Sequence, residues 1–279
     1  NVNYDCAYLQ DENIRKFYYN LIYLDGIEYR SCGNFKLYQT AIKPYLKTDT
    51  INLFSTERFT SILFSHDDLK IKADRLKEIF SNAKIILIIR NQFNIIISQY
   101  RDHPFDPRCV RIGKPVSIDK WIKVALEDRQ TKYFSSLNYY EIINLYSELF
   151  GRDNIGVFLF EELVNDSNQF ANKISNFMEI DPEESQFILK NKQENVSVSQ
   201  RYNYYRALVR RRLMPHIESQ KILPYSLRKN LLDFIKSGNK KKYKFHPTTE
   251  AILQEHFAPL NKKLQEEYKI DLTSYNYPV

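Results

Sequence analysis

The chain has 279 residues, 43% of them hydrophobic with 21 Tyr and 18 Phe, and it carries a formal net charge of +7 at pH 7. This apolar content excludes an intrinsically disordered chain and predicts one globular domain with attached helices, because a chain of this length can still be organised around one core. The positive charge indicates an anionic partner without specifying which anion.

Three short, continuous apolar runs predict buried parallel strands, because a strand that is covered on both faces has no polar side to alternate with its apolar one. They are TINLFST (50–56), KIILII (84–89) and NIGVFLF (154–160). Helical patterns lie between them, at residues 66–80, from about residue 92, at 117–134 and at 138–151. Strands that alternate with helices predict right-handed crossovers and a layered α/β fold.

From about residue 168 onward the pattern predicts one helix after another. The last of them covers residues 246–268, and Pro259 inside it is expected to kink or break the helix. Gly151, which ends the 138–151 pattern, suits the C-cap of a helix. The expected fold class is therefore α/β, with a parallel sheet and a helical C-terminal part.

The three cysteines, Cys6, Cys32 and Cys109, are widely spaced and form no C-x-x-C pair. This spacing indicates neither a disulfide framework nor a zinc site, and a reducing cytoplasm is the predicted location. No window approaches the roughly 18 consecutive apolar residues of a membrane-spanning helix, so we expect no stable membrane insertion.

Charged residues follow the predicted strands, and ligands of open parallel sheets bind outside the carboxyl ends of the strands. Arg90 follows the 84–89 strand, and Ser98 lies about two turns into the helix predicted from Gln92. The guanidinium supplies a fork of donors for a phosphate group, and the serine hydroxyl can add another. The alternative is an arginine in a salt bridge and a serine that faces solvent.

The residues Arg90, Asn91, Ser98 and Tyr100 resemble the 3′-phosphate-binding motif of sulfotransferases that use 3′-phosphoadenosine 5′-phosphosulfate (PAPS). The order and spacing of three other segments, 52–61, 138–163 and 237–264, are similar to bacterial and heparan-type members. Gln92 stands where many relatives have proline. The resemblance implies a P-loop-kinase-like three-layer fold, a PAPS donor, adenosine 3′,5′-bisphosphate (PAP) as product and no metal, with Arg90 and Ser98 binding the 3′-phosphate.

A basic segment near the C-terminus carries a second part of the resemblance. Its match to the donor-binding segment of heparan-type relatives falls best on Lys241, Lys242 and Tyr243, while Lys240 replaces a glycine of that motif. The resemblance implies that the lysines contact phosphates of the nucleotide and that the tyrosine packs near its base or ribose. The alternative is a solvated, charged loop.

The family's other signature, a Gly-Thr-Thr or Gly-Thr-Ser loop that cradles the 5′-phosphosulfate, does not occur in this sequence. Residues 1–9 resemble the segment that follows the loop's helix in bacterial relatives. We therefore expect residues 1–279 to form a single sulfotransferase domain that lacks its N-terminal strand and phosphate loop.

Sulfuryl transfer needs cations for the negative charge of the transferring group and a base for the acceptor proton. Glu57, directly after the 50–56 strand, is the candidate base by its position and by similarity to relatives with an acceptor-side carboxylate. A salt-bridged glutamate is the alternative, and His66, Asp102 and His103 are further candidates. The basic run at 206–213 either lies on the exposed face of a helix or attracts an acidic glycan acceptor.

The predicted reaction is sulfate transfer to an acceptor hydroxyl or amine, on a carbohydrate rather than a phenol or steroid. One alternative is a pseudo-enzyme that binds PAP or PAPS without turnover. Another is a basic nucleic-acid-binding protein, which ranks last because the basic residues match no nucleic-acid-binding motif. We therefore expect a nucleotide donor and no nucleic acid as partner; the oligomeric state does not follow from the sequence.

Overall fold

The computed structural model describes residues 2–4, 12–60, 69–102, 116–127, 133–190, 199–210, 224–237 and 242–279. These residues belong to two compact units. The strand unit comprises residues 1–89, 132–191 and 266–269, and the helical unit comprises residues 90–131, 192–265 and 270–279. None of the helices in the described ranges combines the length and apolar character needed to cross a membrane.

Two pairs of parallel strands lie in the strand unit. The strands are β1 (Val2–Tyr4), β2 (Ile51–Leu53), β3 (Ile85–Ile89) and β4 (Ile155–Leu159). Strand β1 pairs with β2, and β3 pairs with β4 in a register that sets Ile85 opposite Ile155 and Ile89 opposite Leu159. The three predicted strands are confirmed with shorter bounds, and so are their parallel direction and the α/β class. Strand β1 was not predicted, because three residues are too short for an apolar run to stand out.

Thirteen helices of the described ranges account for most of the remaining chain. They are α1 (Glu12–Tyr23), α2 (Gly26–Ser31), α3 (Asn34–Leu37), α4 (Leu69–Ile79), α5 (Gln92–Asp102), α6 (Ile118–Glu127), α7 (Tyr139–Phe150), α8 (Phe160–Asn165), α9 (Ser167–Met178), α10 (Pro182–Lys190), α11 (Gln200–Arg210), α12 (Tyr225–Lys236) and α13 (Pro247–Tyr268). Shorter helical turns include Glu57–Phe59, which follows β2 after residues 54–56, and Thr273–Tyr275.

The core of the strand unit combines apolar faces with the buried cations Lys72 and Arg75 of α4. Phe17 of α1 is fully buried, with the rings of Tyr38 and Phe80 at 6.2 Å and 6.5 Å. The guanidinium of Arg75, on α4, donates to the carbonyls of Leu21 and Leu24 at the end of α1. Helix C-termini leave carbonyls without intrahelical partners, so Arg75 satisfies groups that would otherwise be buried unpaired.

The predicted end of α7 at Gly151 has its expected geometry, whereas the predicted break in α13 does not occur. Asn138 caps α7 by accepting from the Glu141 N–H, and Gly151 ends it with a φ of 87°. Helix α13, by contrast, is continuous through Pro259, so the expected break is wrong. Pro259 lacks an N–H for the Glu255 carbonyl, but both residues lie on the exposed side of the helix, where water can donate to that carbonyl.

Gly156 of β4 is buried where a side chain has no room. A Cβ atom there would lie 2.7 Å from Phe158 Cε2 and 2.8 Å from Phe177 Cδ1. We expect Gly156→Ala to lower the free energy of unfolding by about 1–3 kcal/mol through overpacking, measured by urea denaturation. The matched control is Gly26→Ala, at the start of α2, where a Cβ meets nothing within 4 Å. Equal stability of the two variants would contradict this prediction.

Candidate functional site

The turn between β3 and α5 has the predicted position: β3 ends at Ile89 and α5 begins at Gln92, so Arg90 and Asn91 form the connection. Arg90 is half-buried. The Asn91 side chain accepts from the N–H groups of Phe93 and Asn94, at 3.0 Å and 3.3 Å, and so caps α5. Its amide nitrogen donates to the Asn276 carbonyl at 2.6 Å. The cap fixes the helix end beside Arg90, and such an end favours anions.

The first residue of α5 is held by a buried pair of amides. Gln92 and Asn261 of α13 each donate to the side-chain oxygen of the other, at 2.8 Å and 3.1 Å, and their exposed fractions are 0% and 2%. Asn261 also donates to the Pro278 carbonyl at 2.7 Å. Gln92, where many relatives have proline, therefore has a structural role in this chain: it connects the start of α5 to α13.

Ser98 is half-buried in the second turn of α5. Helical periodicity sets it on one face with Asn94 and Arg101, which lie four residues before and three residues after it. The opposite part of the helix faces the core of the helical unit, where Ile96 is fully buried. A hydroxyl on the outer face of a capped helix is available to a ligand that reaches this face.

The segment that follows the basic loop packs on the same helix. The ring of Tyr243 stands perpendicular to that of Tyr100 at 5.1 Å, and the Arg101 guanidinium carbon is 5.9 Å from the centre of the Tyr243 ring. Phe245 contacts Phe93, with their ring centres 5.6 Å apart. The 242–246 segment therefore runs along the helix that carries Ser98.

Hydrogen bonds also hold Tyr100 of α5 and His246 of the 242–246 segment. The Tyr100 hydroxyl donates to the Val116 carbonyl at 2.6 Å, and the His246 N–H donates to Asp119 Oδ1, on α6, at 2.9 Å. Partial burial alone would raise the pKa of the Asp119 carboxyl, but hydrogen bonds from His246 and Thr249 outweigh it and lower the pKa below its ordinary value. On its other side Tyr100 contacts Trp121, with ring centres 6.1 Å apart.

The predicted site residues fall into three groups. Ser98, Lys242 and Tyr243 belong to the helical unit, where Lys242 is exposed and Tyr243 half-buried. Glu57 belongs to the strand unit and begins the Glu57–Phe59 turn, of which only the backbone is described at that residue. Lys241, His66 and His103 lie outside the described residues. Within the described ranges no group of three or more His, Cys, Asp or Glu could hold a metal ion.

Comparison with known families decides the class of the protein. Residues 18–264 match the family described as "Sulfotransferase domain". The chain is a member of the sulfotransferase family. The match covers most of the chain, so the predicted family and the α/β fold class are both confirmed. Sulfuryl transfer is the activity of the family in general.

A sulfotransferase from Alicyclobacillus acidocaldarius, of known crystal structure, is 15% identical, with 90% of this chain and 74% of that chain covered and a TM-score of 0.48. No curated protein matches the sequence.

Several contacts of the candidate site were not predicted from the sequence. Asn91 could have been found as a helix cap, since asparagine is favoured directly before a first turn. No local signal points to the contact of Arg101 with Tyr243, to the bond between His246 and Asp119, or to the pair of Gln92 with Asn261. These partners are far apart in sequence, and their meeting depends on the tertiary fold.

Proposed function

We propose that this sulfotransferase transfers the sulfuryl group of PAPS to a hydroxyl or amine of a carbohydrate and releases PAP. The observation that carries the proposal is the packing of the 242–246 segment on α5, through Tyr243 on Tyr100 and Phe245 on Phe93. The 242–246 segment thus packs on α5, the helix that follows Arg90 and carries Ser98. Cationic and hydroxyl groups that suit a phosphate therefore lie on neighbouring segments of the helical unit.

In this proposal Arg90 binds the 3′-phosphate through its fork of donors, and the Ser98 hydroxyl adds a hydrogen bond from the helix side. The capped start of α5 contributes favourable partial charge to the same anion. Lys241 and Lys242 contact phosphate oxygens, and Tyr243 packs near the base or ribose. Its ring is already held by Tyr100 and Arg101, so little ordering of that side chain is needed on binding.

During transfer the bond between sulfur and the bridging oxygen of PAPS breaks, and a bond forms between sulfur and the acceptor oxygen or nitrogen. The electron pair of the broken bond leaves with PAP. We assign removal of the acceptor proton to Glu57, which begins the turn after β2. The cations that bind the nucleotide stabilise the charge that develops on the leaving group.

A carbohydrate acceptor is supported by the similarity of residues 237–264 to heparan-type members. The net charge of +7 is also favourable for an acidic glycan, because it raises the encounter rate with polyanions. A neutral phenol or steroid would gain nothing from this charge.

The test compares PAP with 5′-AMP by isothermal titration calorimetry on the full chain. We expect PAP to bind at least about 30-fold more tightly, because only PAP carries the phosphate that pairs with the arginine and serine. Transfer of labelled sulfate from PAPS to a panel of glycans, a phenol and a steroid then identifies the acceptor class.

Other outcomes would favour the alternatives. PAP binding of normal affinity without transfer to any acceptor would indicate a pseudo-enzyme. Equal affinity for PAP and 5′-AMP, together with binding of generic polyanions that falls steeply with salt, would indicate a nucleic-acid-binding protein.

A further inference from the structure

The turn that begins with Glu57 is held by two side-chain donors from buried positions in the strand unit. Lys72, on α4, has an exposed fraction of 0%, and its Nζ atom lies 3.3 Å from the Arg58 carbonyl oxygen. Lysine is rarely buried to this degree unless it is paired, because an ammonium group loses its hydration in the protein interior. The hydrogen bond to the Arg58 carbonyl offsets part of this cost and connects α4 to the turn.

Tyr146, on α7, supplies the second donor. Its hydroxyl donates to the Phe59 carbonyl at 2.8 Å, and the side chain is 1% exposed. Burial raises the pKa of this hydroxyl well above its ordinary value, so it stays protonated and can donate throughout the working pH range. The bond is therefore a constant feature of the folded chain.

A third bond closes the turn from within. The Arg58 N–H donates to the Thr56 hydroxyl oxygen at 3.2 Å. The backbone of the two residues that follow Glu57 is thus held by hydrogen bonds to Thr56, between β2 and the turn, and to side chains from two different helices. Lys72 and Tyr146 lie 14 and 87 positions along the chain from the carbonyls that they contact, so this support is tertiary.

We propose that Lys72 and Tyr146 are positioning residues for sulfuryl transfer, which hold the backbone of the turn so that Glu57 is presented to the acceptor in a fixed place. This inference rests on the proposed role of Glu57 as the base. A general base must lie within hydrogen-bond reach of the proton it removes, and a displacement of about 1 Å can lower a rate by roughly 100-fold. The two donors act through the turn and do not touch the substrate.

The experiment compares Lys72→Met and Tyr146→Phe with Lys77→Met in the full chain. Lys77 is a matched control because it lies on the same helix and its Nζ donates to a backbone carbonyl, that of Ser81, at 2.7 Å, away from the turn. We expect kcat to fall by about 10- to 100-fold in the Lys72 variant and by less in the Tyr146 variant. The KM for PAPS and the Kd for PAP should stay within about twofold, as expected when only transition-state interactions are lost.

Amide hydrogen exchange of residues 57–60 supplies a second readout that does not depend on turnover. Exchange should become faster in Lys72→Met and Tyr146→Phe, because each variant removes a hydrogen bond to the turn. It should stay unchanged in the Lys77→Met control. If Lys72→Met does not fold, Tyr146→Phe removes a single hydroxyl and keeps the ring, so it carries the test alone.

The inference is overturned if both turn variants keep the kcat of the control and the exchange of residues 57–60 does not change. A fall in kcat accompanied by an equal loss of PAP affinity would also overturn it, since that pattern indicates a general loss of structure. Failure of the proposed function looks different: the wild-type chain would then bind no PAP, or would bind it and transfer sulfate to no acceptor, and the catalytic role of the turn would fall with it.

Discussion

Replacing Arg90 by alanine is expected to weaken PAP binding by about 30- to 1,000-fold while 5′-AMP binding changes by less than about threefold, because truncating one partner of a hydrogen-bonded charge pair costs about 2–4 kcal/mol. The arginine lies in the turn between β3 and α5, directly before the asparagine that caps the helix. Only PAP carries the 3′-phosphate that this side chain is proposed to bind. Isothermal titration calorimetry with both nucleotides measures the difference.

Two further variants make the result specific. Arg90→Lys keeps the charge and loses the bidentate fork, so its PAP affinity should lie between those of the wild type and the alanine variant. Lys123→Ala removes an exposed cation of α6, in the same unit, and should leave both affinities unchanged. An Arg90→Ala variant that loses PAP and 5′-AMP affinity to the same degree would show that the arginine does not select the 3′-phosphate.

Asn261→Leu is expected to lower the free energy of unfolding by about 2–4 kcal/mol, because removing one partner of a buried hydrogen bond leaves the other desolvated at about 1–3 kcal/mol for each group. The substitution takes hydrogen bonds away from the Gln92 amide and from the Pro278 carbonyl, in a site that is closed to water. Urea denaturation measures the loss. Asn230→Leu, on the exposed side of α12, is the matched control and should change stability by less than about 0.5 kcal/mol.

The double variant of Gln92→Leu with Asn261→Leu sharpens this prediction. Replacing both amides by apolar side chains of similar size removes the amide that each single variant leaves unpaired, while the Pro278 carbonyl stays without the Asn261 donor. The double variant should therefore be more stable than the sum of the two single losses predicts. Strict additivity of the two losses would mean that the amide pair is not coupled.

The segment from β3 into α5 was predictable because its signals are local. Five apolar residues in succession, 85–89, indicate a strand, and Arg90 with Asn91 ends it, so the turn and the start of the helix follow from neighbouring residues. The family could also be recognised there, since Arg90, Ser98 and Tyr100 lie within eleven positions. The proposed roles of these residues in binding the donor stay predictions.

The contacts that could not be predicted depend on the tertiary fold and not on neighbouring residues. No neighbouring residue indicates a partner for Gln92, yet its side chain is paired with a residue 169 positions away. Lys72 would have been read as one of several charges on an amphipathic helix, yet it is fully buried against the turn after β2. Pro259 shows the opposite error: a strong local signal for a break is overridden by the packing of Leu253, Phe257 and Leu264, which are buried on the other side of α13.

The aromatic contacts on α5 have a practical consequence, because Trp121 is the one tryptophan of the 279 residues. It contacts Tyr100, which in turn contacts Tyr243, so the chain's sole indole lies two ring contacts from the segment proposed to bind the nucleotide. Its ultraviolet emission is therefore a native optical reporter of that segment. Donor binding and release can be timed by stopped-flow fluorescence without attaching a dye.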